Sequence, residues 1–111
     1  MTTQASFDWK LAVTLSNNNP SIAKELLKMF VQELASSKAD LIEAYDQKNF
    51  KQLAKLSHKL HGACCYCGVP RLKDLTKEVE HEAASSEAPS FQKLIDEIDL
   101  VQTLLKKEQF T

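Results

Sequence analysis

Most of the chemistry available to this sequence of 111 residues lies in one short run, Ser57-His58-Lys59-Leu60-His61-Gly62-Ala63-Cys64-Cys65. A neutral imidazole keeps a lone pair on one ring nitrogen and is a usable nucleophile near neutral pH. No Ser/His/Asp set, paired carboxylates or Gly-rich phosphate loop accompanies the run. A histidine in such company cannot complete a reaction unaided. It can accept a phosphoryl group on nitrogen and pass it on, provided that a partner brings the metal and the catalytic groups. Neighbouring lysines would offset the roughly −2 charge that a phosphoryl group adds.

Helical geometry sharpens this reading. At about 100° per residue, Ser57, Leu60, Cys64 and Cys67 fall within about 40° of Leu53 and form a core stripe. His58 then lies about 140° away, facing solvent, with Ala54, Lys55, Lys51, His61, Gly62 and Cys65 as helical neighbours. An outward helix face ordinarily carries long charged side chains. Here a histidine stands among the small residues Ala54, Gly62 and Cys65. Gly62 is one of only two glycines in the chain, and glycine inside a helix costs roughly 1 kcal/mol relative to alanine. Either it admits a neighbouring helix or it clears the way for another protein to reach His58. Its position nearly opposite the core stripe favours the second explanation.

Two rival readings belong to other classes. His58, His61 and Cys65 share one helical face, and His and Cys are preferred zinc ligands, so a metal-binding bundle is conceivable. Against it, the spacing fits no established zinc motif and the sequence points to no fourth ligand. The other rival is an interaction bundle with no chemistry at all. The cysteines Cys64, Cys65 and Cys67 are too clustered and odd in number for a disulfide framework. They read as small apolar residues and as free thiols in a reducing compartment. His81, within Glu78-Val79-Glu80-His81-Glu82, reads as part of a solvated face. Arg71 and Lys73 could touch a partner, although charges so placed are usually only solvated.

The elements that must position His58 follow from punctuation and periodicity. One domain spanning 1–111 suits the length. Two glycines and three prolines are too few for hairpin-rich sheets or for dinucleotide and P-loop folds. With 14 Lys+Arg against 15 Asp+Glu, the net charge is −1, which argues against nucleic acid as a partner. No apolar run is long enough to span a bilayer, and the first thirty residues lack the pattern of a signal peptide. The chain is therefore expected to be cytoplasmic, with no direct membrane contact. Asp8 caps a short helix reaching Leu15. Asn19-Pro20 opens a second helix, running to about Lys48, whose apolar stripe weakens at Ser36-Ser37-Lys38. Asn49, with Gln52 at N3, opens a third that runs to about Cys67 and ends at Gly68. Pro70 starts a fourth, Glu82 to Ala88 reads as a loop, and Pro89 or Ser90 starts the last. The fold class is all-α: an antiparallel four-helix bundle with the short N-terminal helix across one end.

The run His58-Lys59-Leu60-His61-Gly62, followed by Gly68, Leu72 and Leu75, resembles the signature of histidine phosphotransfer (HPt) domains. The longer string HKLHGACCYCGVPRLKDL resembles the C-terminal HPt domain of BarA/GacS-type hybrid sensor kinases. The likeness covers nearly the whole chain and fades in the last helix. It implies that His58 is the phosphoacceptor, exchanging phosphoryl groups with receiver domains of a hybrid sensor kinase and of a response regulator. It also implies that the receiver supplies Mg²⁺, so the chain needs no cofactor of its own and has no autokinase activity. Gly62 matches the glycine that keeps the acceptor's surroundings open. The docking face would include Ala54, Gly62 and Cys65, with the second helix beside them. Many relatives carry lysine where this chain has His61. Support for the phosphoryl group must then come from His61, Lys59 or Lys55, and the sequence leaves that choice open. The chain is either free in the cytoplasm or tethered at the inner membrane as part of a longer sensor kinase.

Overall fold

The computed structural model describes residues 5–108, over which the backbone forms five helices and no strand. Helix α1 spans Trp9–Leu15, and Asp8 caps it through a 3.0 Å bond from the Leu11 amide. The chain then turns through Asn17 and Asn18, both in the left-handed region that asparagine tolerates. Helix α2, Pro20–Asp46, begins with the Asn19 side chain accepting from the amides of Ser21 and Ile22. Helix α3, Phe50–Cys64, begins with Asn49 accepting from the Gln52 amide. Helices α4, Pro70–Ala84, and α5, Phe91–Lys107, complete the chain. Proline opens both α2 and α4, where its missing N–H has no intrahelical partner to lose.

Each long helix packs on the next in sequence, α5 closes back onto α2, and the α3–α4 pair is the most extensive contact. The core runs through Leu27, Leu34 and Leu41 of α2, Leu53 and Leu60 of α3, Leu72 and Val79 of α4, and Leu94, Ile98 and Leu105 of α5. Each such side chain contributes about 1.5–3 kcal/mol of burial. Lys38 and Asp99, 2.5 Å apart, tie α2 to α5 at the surface. Helix α1 lies across the bundle end that holds the α3–α4 turn, where the Asp8 amide donates to the Gly68 carbonyl at 2.8 Å.

Two boundaries differ from the sequence expectation, and the weak stretch of α2 resolves as exposure. Helix α3 ends at Cys64 rather than near Cys67, because the amides of Cys65, Tyr66 and Cys67 each bond three residues back and tighten the chain into turns before Gly68. Helix α4 continues to Ala84, through residues expected to be loop, because Val79 and Ala83 still face the core. Helix α2 is continuous through Ser36 and Ser37, and between Leu34 and Leu41 it has no fully buried side chain, so the weakened stripe marks exposure along a regular helix.

Candidate functional site

His58 projects from the outer side of α3 with 73% of its side chain exposed, yet it is held in place. Its Nδ1 lies 3.0 Å from Oε2 of Glu80 on α4. An ionised carboxylate only accepts, so Nδ1 carries the hydrogen. In the neutral ring this leaves the lone pair on Nε2, across the ring from Glu80 and toward solvent. The geometry therefore selects one tautomer and one nucleophilic nitrogen.

The sequence did not single out Glu80, which lies among charged residues that read as a solvated face. Its signal was available in topology. Two antiparallel helices joined at Gly68 bring together residues roughly equidistant from the turn, and His58 and Glu80 are such a pair. His61 is held by the same hairpin. Its Nδ1 lies 3.0 Å from the Lys73 carbonyl and 3.2 Å from the Thr76 hydroxyl. The carbonyl must accept, so Nδ1 of His61 is also the protonated nitrogen. A neutral His61 then presents only a lone pair at Nε2, and it can donate toward an anion only as the imidazolium.

Gly62 is exposed, and a Cβ built on it meets nothing within 4 Å. Packing among the described residues thus gives no reason for glycine here. A Gly62→Ala variant is expected to be more stable by up to about 1 kcal/mol. A thermal melt should show a midpoint several degrees higher, and a lower midpoint would contradict the open geometry.

Lys51, Lys55 and Lys59 are exposed on α3, and Ala54 and Cys65 are half-buried. The Cys65 thiol donates to the His61 carbonyl at 3.4 Å. His58 and His61 both lean toward α4, and by helical position Ala54 and Cys65 lie on that same flank. Lys59 lies on the opposite one. Cys64 and Cys67 are buried. Burial, with neighbouring thiols and Glu33 adding to it at Cys64, pushes the Cys64 thiol up, and burial together with Glu33 pushes the Cys67 thiol up to about 12. Both behave as apolar filler, as the sequence suggested. Among the described residues no group of three or more His, Cys, Asp or Glu side chains is placed to hold a metal ion. Arg71 pairs with the buried Glu97 of α5 at 3.3 Å, so its guanidinium is already engaged within the bundle. His81 is exposed.

No helix among the described residues is long and apolar enough to cross a membrane. The family model described as the Hpt domain matches residues 25–106. The chain is 33% identical over 102 residues to the signal transduction histidine-protein kinase BarA of Shigella flexneri, a match covering 87% of this chain and 11% of that protein. It thus spans only about a tenth of the length of that relative. Among solved structures, the HPT domain of an Hpt sensor hybrid histidine kinase from Shewanella superposes with a TM-score of 0.86 at 30% identity, covering 93% of this chain and 92% of that one. Histidine-containing phosphotransfer protein B from Pseudomonas aeruginosa superposes with a TM-score of 0.81 at 21% identity, covering 96% of each chain, and shares the fold. With a bundle that carries one outward, tautomer-fixed histidine beside an open glycine, these matches lead to one conclusion: the chain belongs to the Hpt domain family and is a phosphotransfer module of a two-component phosphorelay.

Proposed function

We propose that His58 is the phosphoacceptor, and that it takes its phosphoryl group from the aspartyl phosphate of a docked receiver domain and passes it to the receiver of a response regulator. The observation that carries this reading is the contact between Nδ1 of His58 and Glu80. It leaves Nε2 as the only free nucleophile on the ring. In the forward step Nε2 attacks phosphorus, the phosphorus–oxygen bond to the receiver's aspartate breaks, and the aspartate leaves as a carboxylate. The ring becomes cationic, with its hydrogen still on Nδ1, and Glu80 balances that charge. In the reverse step the ring leaves as neutral imidazole, so the same contact serves both directions.

The receiver would supply Mg²⁺ for the phosphoryl oxygens, and this chain would contribute positioning and charge, the usual division in phosphoryl transfer. It would have neither autokinase activity nor a cofactor of its own. Gly62, with Ala54 and Cys65 beside it, would form the small-residue ground on which the receiver sits, with α2 alongside. Any sensor kinase activity would belong to a longer parent chain.

The direct test is to mix the chain with a receiver domain carrying a radiolabelled aspartyl phosphate, without ATP. Label should move to this chain and then to a second receiver. If the receiver keeps its label beside well-folded protein, the reading fails. Glu80 provides a graded check. Glu80→Gln can still accept from Nδ1 but lacks the charge, and Glu80→Ala lacks both. The pair is solvent-exposed, so transfer should slow by roughly 3–10-fold in Glu80→Gln and further in Glu80→Ala. Equal rates in all three proteins would exclude a role for the contact.

A further inference from the structure

Resting on the assignment of His58 as acceptor, we propose that Lys77, on α4, is the cation that faces the phosphoryl group on Nε2 of His58. The need for such a cation arises from the charge left over once His58 is phosphorylated. Glu80, 3.0 Å from Nδ1, balances the cationic ring, so that pair leaves the roughly −2 charge of the phosphoryl group on the opposite nitrogen uncompensated.

Each of the other bases near His58 is placed less well to answer it. His61 turns its protonated nitrogen to the Lys73 carbonyl and the Thr76 hydroxyl, so it offers a lone pair unless it gains a second proton. Lys73 lies beside the cysteines, where its charge acts on the Cys64 thiol and it lines a small cavity with Cys64 and Cys65. Arg71 is engaged by Glu97. Lys59 lies about 100° around α3 from His58, on the side away from α4. Lys51 lies about 20° around α3 from His58 but two turns along the helix, and Lys55, about 60° away and one turn along, is the nearer competitor on α3.

Lys77 occupies the gap that these leave. Helix α4 reaches His61 through Lys73 and Thr76, and reaches His58 through Glu80. Lys77 lies between those contacts in sequence, one helical turn before Glu80 and about 60° around α4 from it, toward solvent. It is exposed and forms no ion pair with the described residues. Its flexible stem can bring the ammonium over the imidazole. There it would offset the phosphoryl group. The charge would thus come from the helix that orients the ring, not from the one that carries it.

The test is phosphorylation by phosphoramidate of wild type, Lys77→Gln, Lys77→Arg and Lys55→Gln, followed by intact mass at low and high salt. Phosphoramidate donates its phosphoryl group to Nε2 and leaves as ammonia. Lys77→Gln should label about three- to tenfold more slowly at low salt, Lys77→Arg should recover most of the rate, and the deficit should shrink at high salt. Unchanged thermal melts would separate this from a folding defect, which an exposed lysine should not cause. If Lys77→Gln labels like wild type, or Lys55→Gln alone shows the deficit, Lys77 is not the cation. Wild type that folds but takes no label at His58 would instead overturn the acceptor assignment and this proposal with it.

Discussion

A His58→Gln variant is expected to fold and melt like the wild type and to accept no phosphoryl group from a receiver or from a small-molecule donor. Stability should hardly change, because the side chain is 73% exposed and its one polar contact is a surface pair with Glu80. Such pairs contribute about 0–1 kcal/mol, and glutamine can still donate to the carboxylate. Chemistry should fall to background, because an amide nitrogen is not a nucleophile and nothing else on that face replaces Nε2. His61 does not stand in, since it is half-buried and fixed by α4. The measurement pairs a thermal melt with the fraction of label transferred. Transfer persisting in the variant would move the acceptor to another residue.

The second large effect is on stability. Gly68 has φ +65, and a Cβ on it would lie 2.4 Å from the Asp8 carbonyl oxygen, 2.9 Å from the Ala12 amide nitrogen and 3.0 Å from the Ala12 Cβ. Two of these three are backbone atoms of the α1 start and cannot rotate aside. Gly68→Ala should therefore cost about 2–4 kcal/mol, from left-handed strain and from displacing α1. At about 4–8 °C per kcal/mol for a domain near this size, the melting midpoint should fall by roughly ten degrees or more. Gly68→Asn separates the two causes. Asparagine tolerates the backbone angle but brings the same Cβ, so it should recover little. A full recovery would show that φ alone sets the requirement. Below its melting point the alanine variant should still accept phosphoryl groups, because His58, Glu80 and their helices remain paired.

The two glycines thus answer to different constraints. Gly68 is required by this chain's own packing, whereas a Cβ at Gly62 would meet nothing among the described residues. Sequence spacing separated them well: a glycine after the last apolar position of a helix reads as a terminator, and one opposite the core stripe reads as an opening. The helix starts were legible for a similar reason. Asp8, Asn19 and Asn49 are local capping groups whose partners lie within three residues. The end of α3 was harder, because Cys64-Cys65-Tyr66-Cys67 carries no breaker and still contains buried side chains. Only the turn bonds leading into Gly68 show where the helix stops.

At the site, His58 was legible because its oddity is local, an imidazole among small residues on an outward face. Its partner was not, because Glu80 differs in no local respect from Glu78 or Glu82. Those two acids in fact turn elsewhere, toward the Ser90 hydroxyl at the start of α5. The same distinction applies to Arg71, which by its spacing could touch a partner but read more simply as solvated, and which packing brings to Glu97. Charged side chains acquire their roles from tertiary register, which the spacing of a single helix does not encode.

The most direct measurement is to phosphorylate the intact chain with phosphoramidate, count phosphoryl groups by intact mass and map them after digestion at alkaline pH, where phosphohistidine survives. The account predicts a single acid-labile group on His58, attached at Nε2 when the ring nitrogens are resolved by nuclear magnetic resonance. Folded protein that stays unmodified, or that carries its label on His61 or His81, would contradict it.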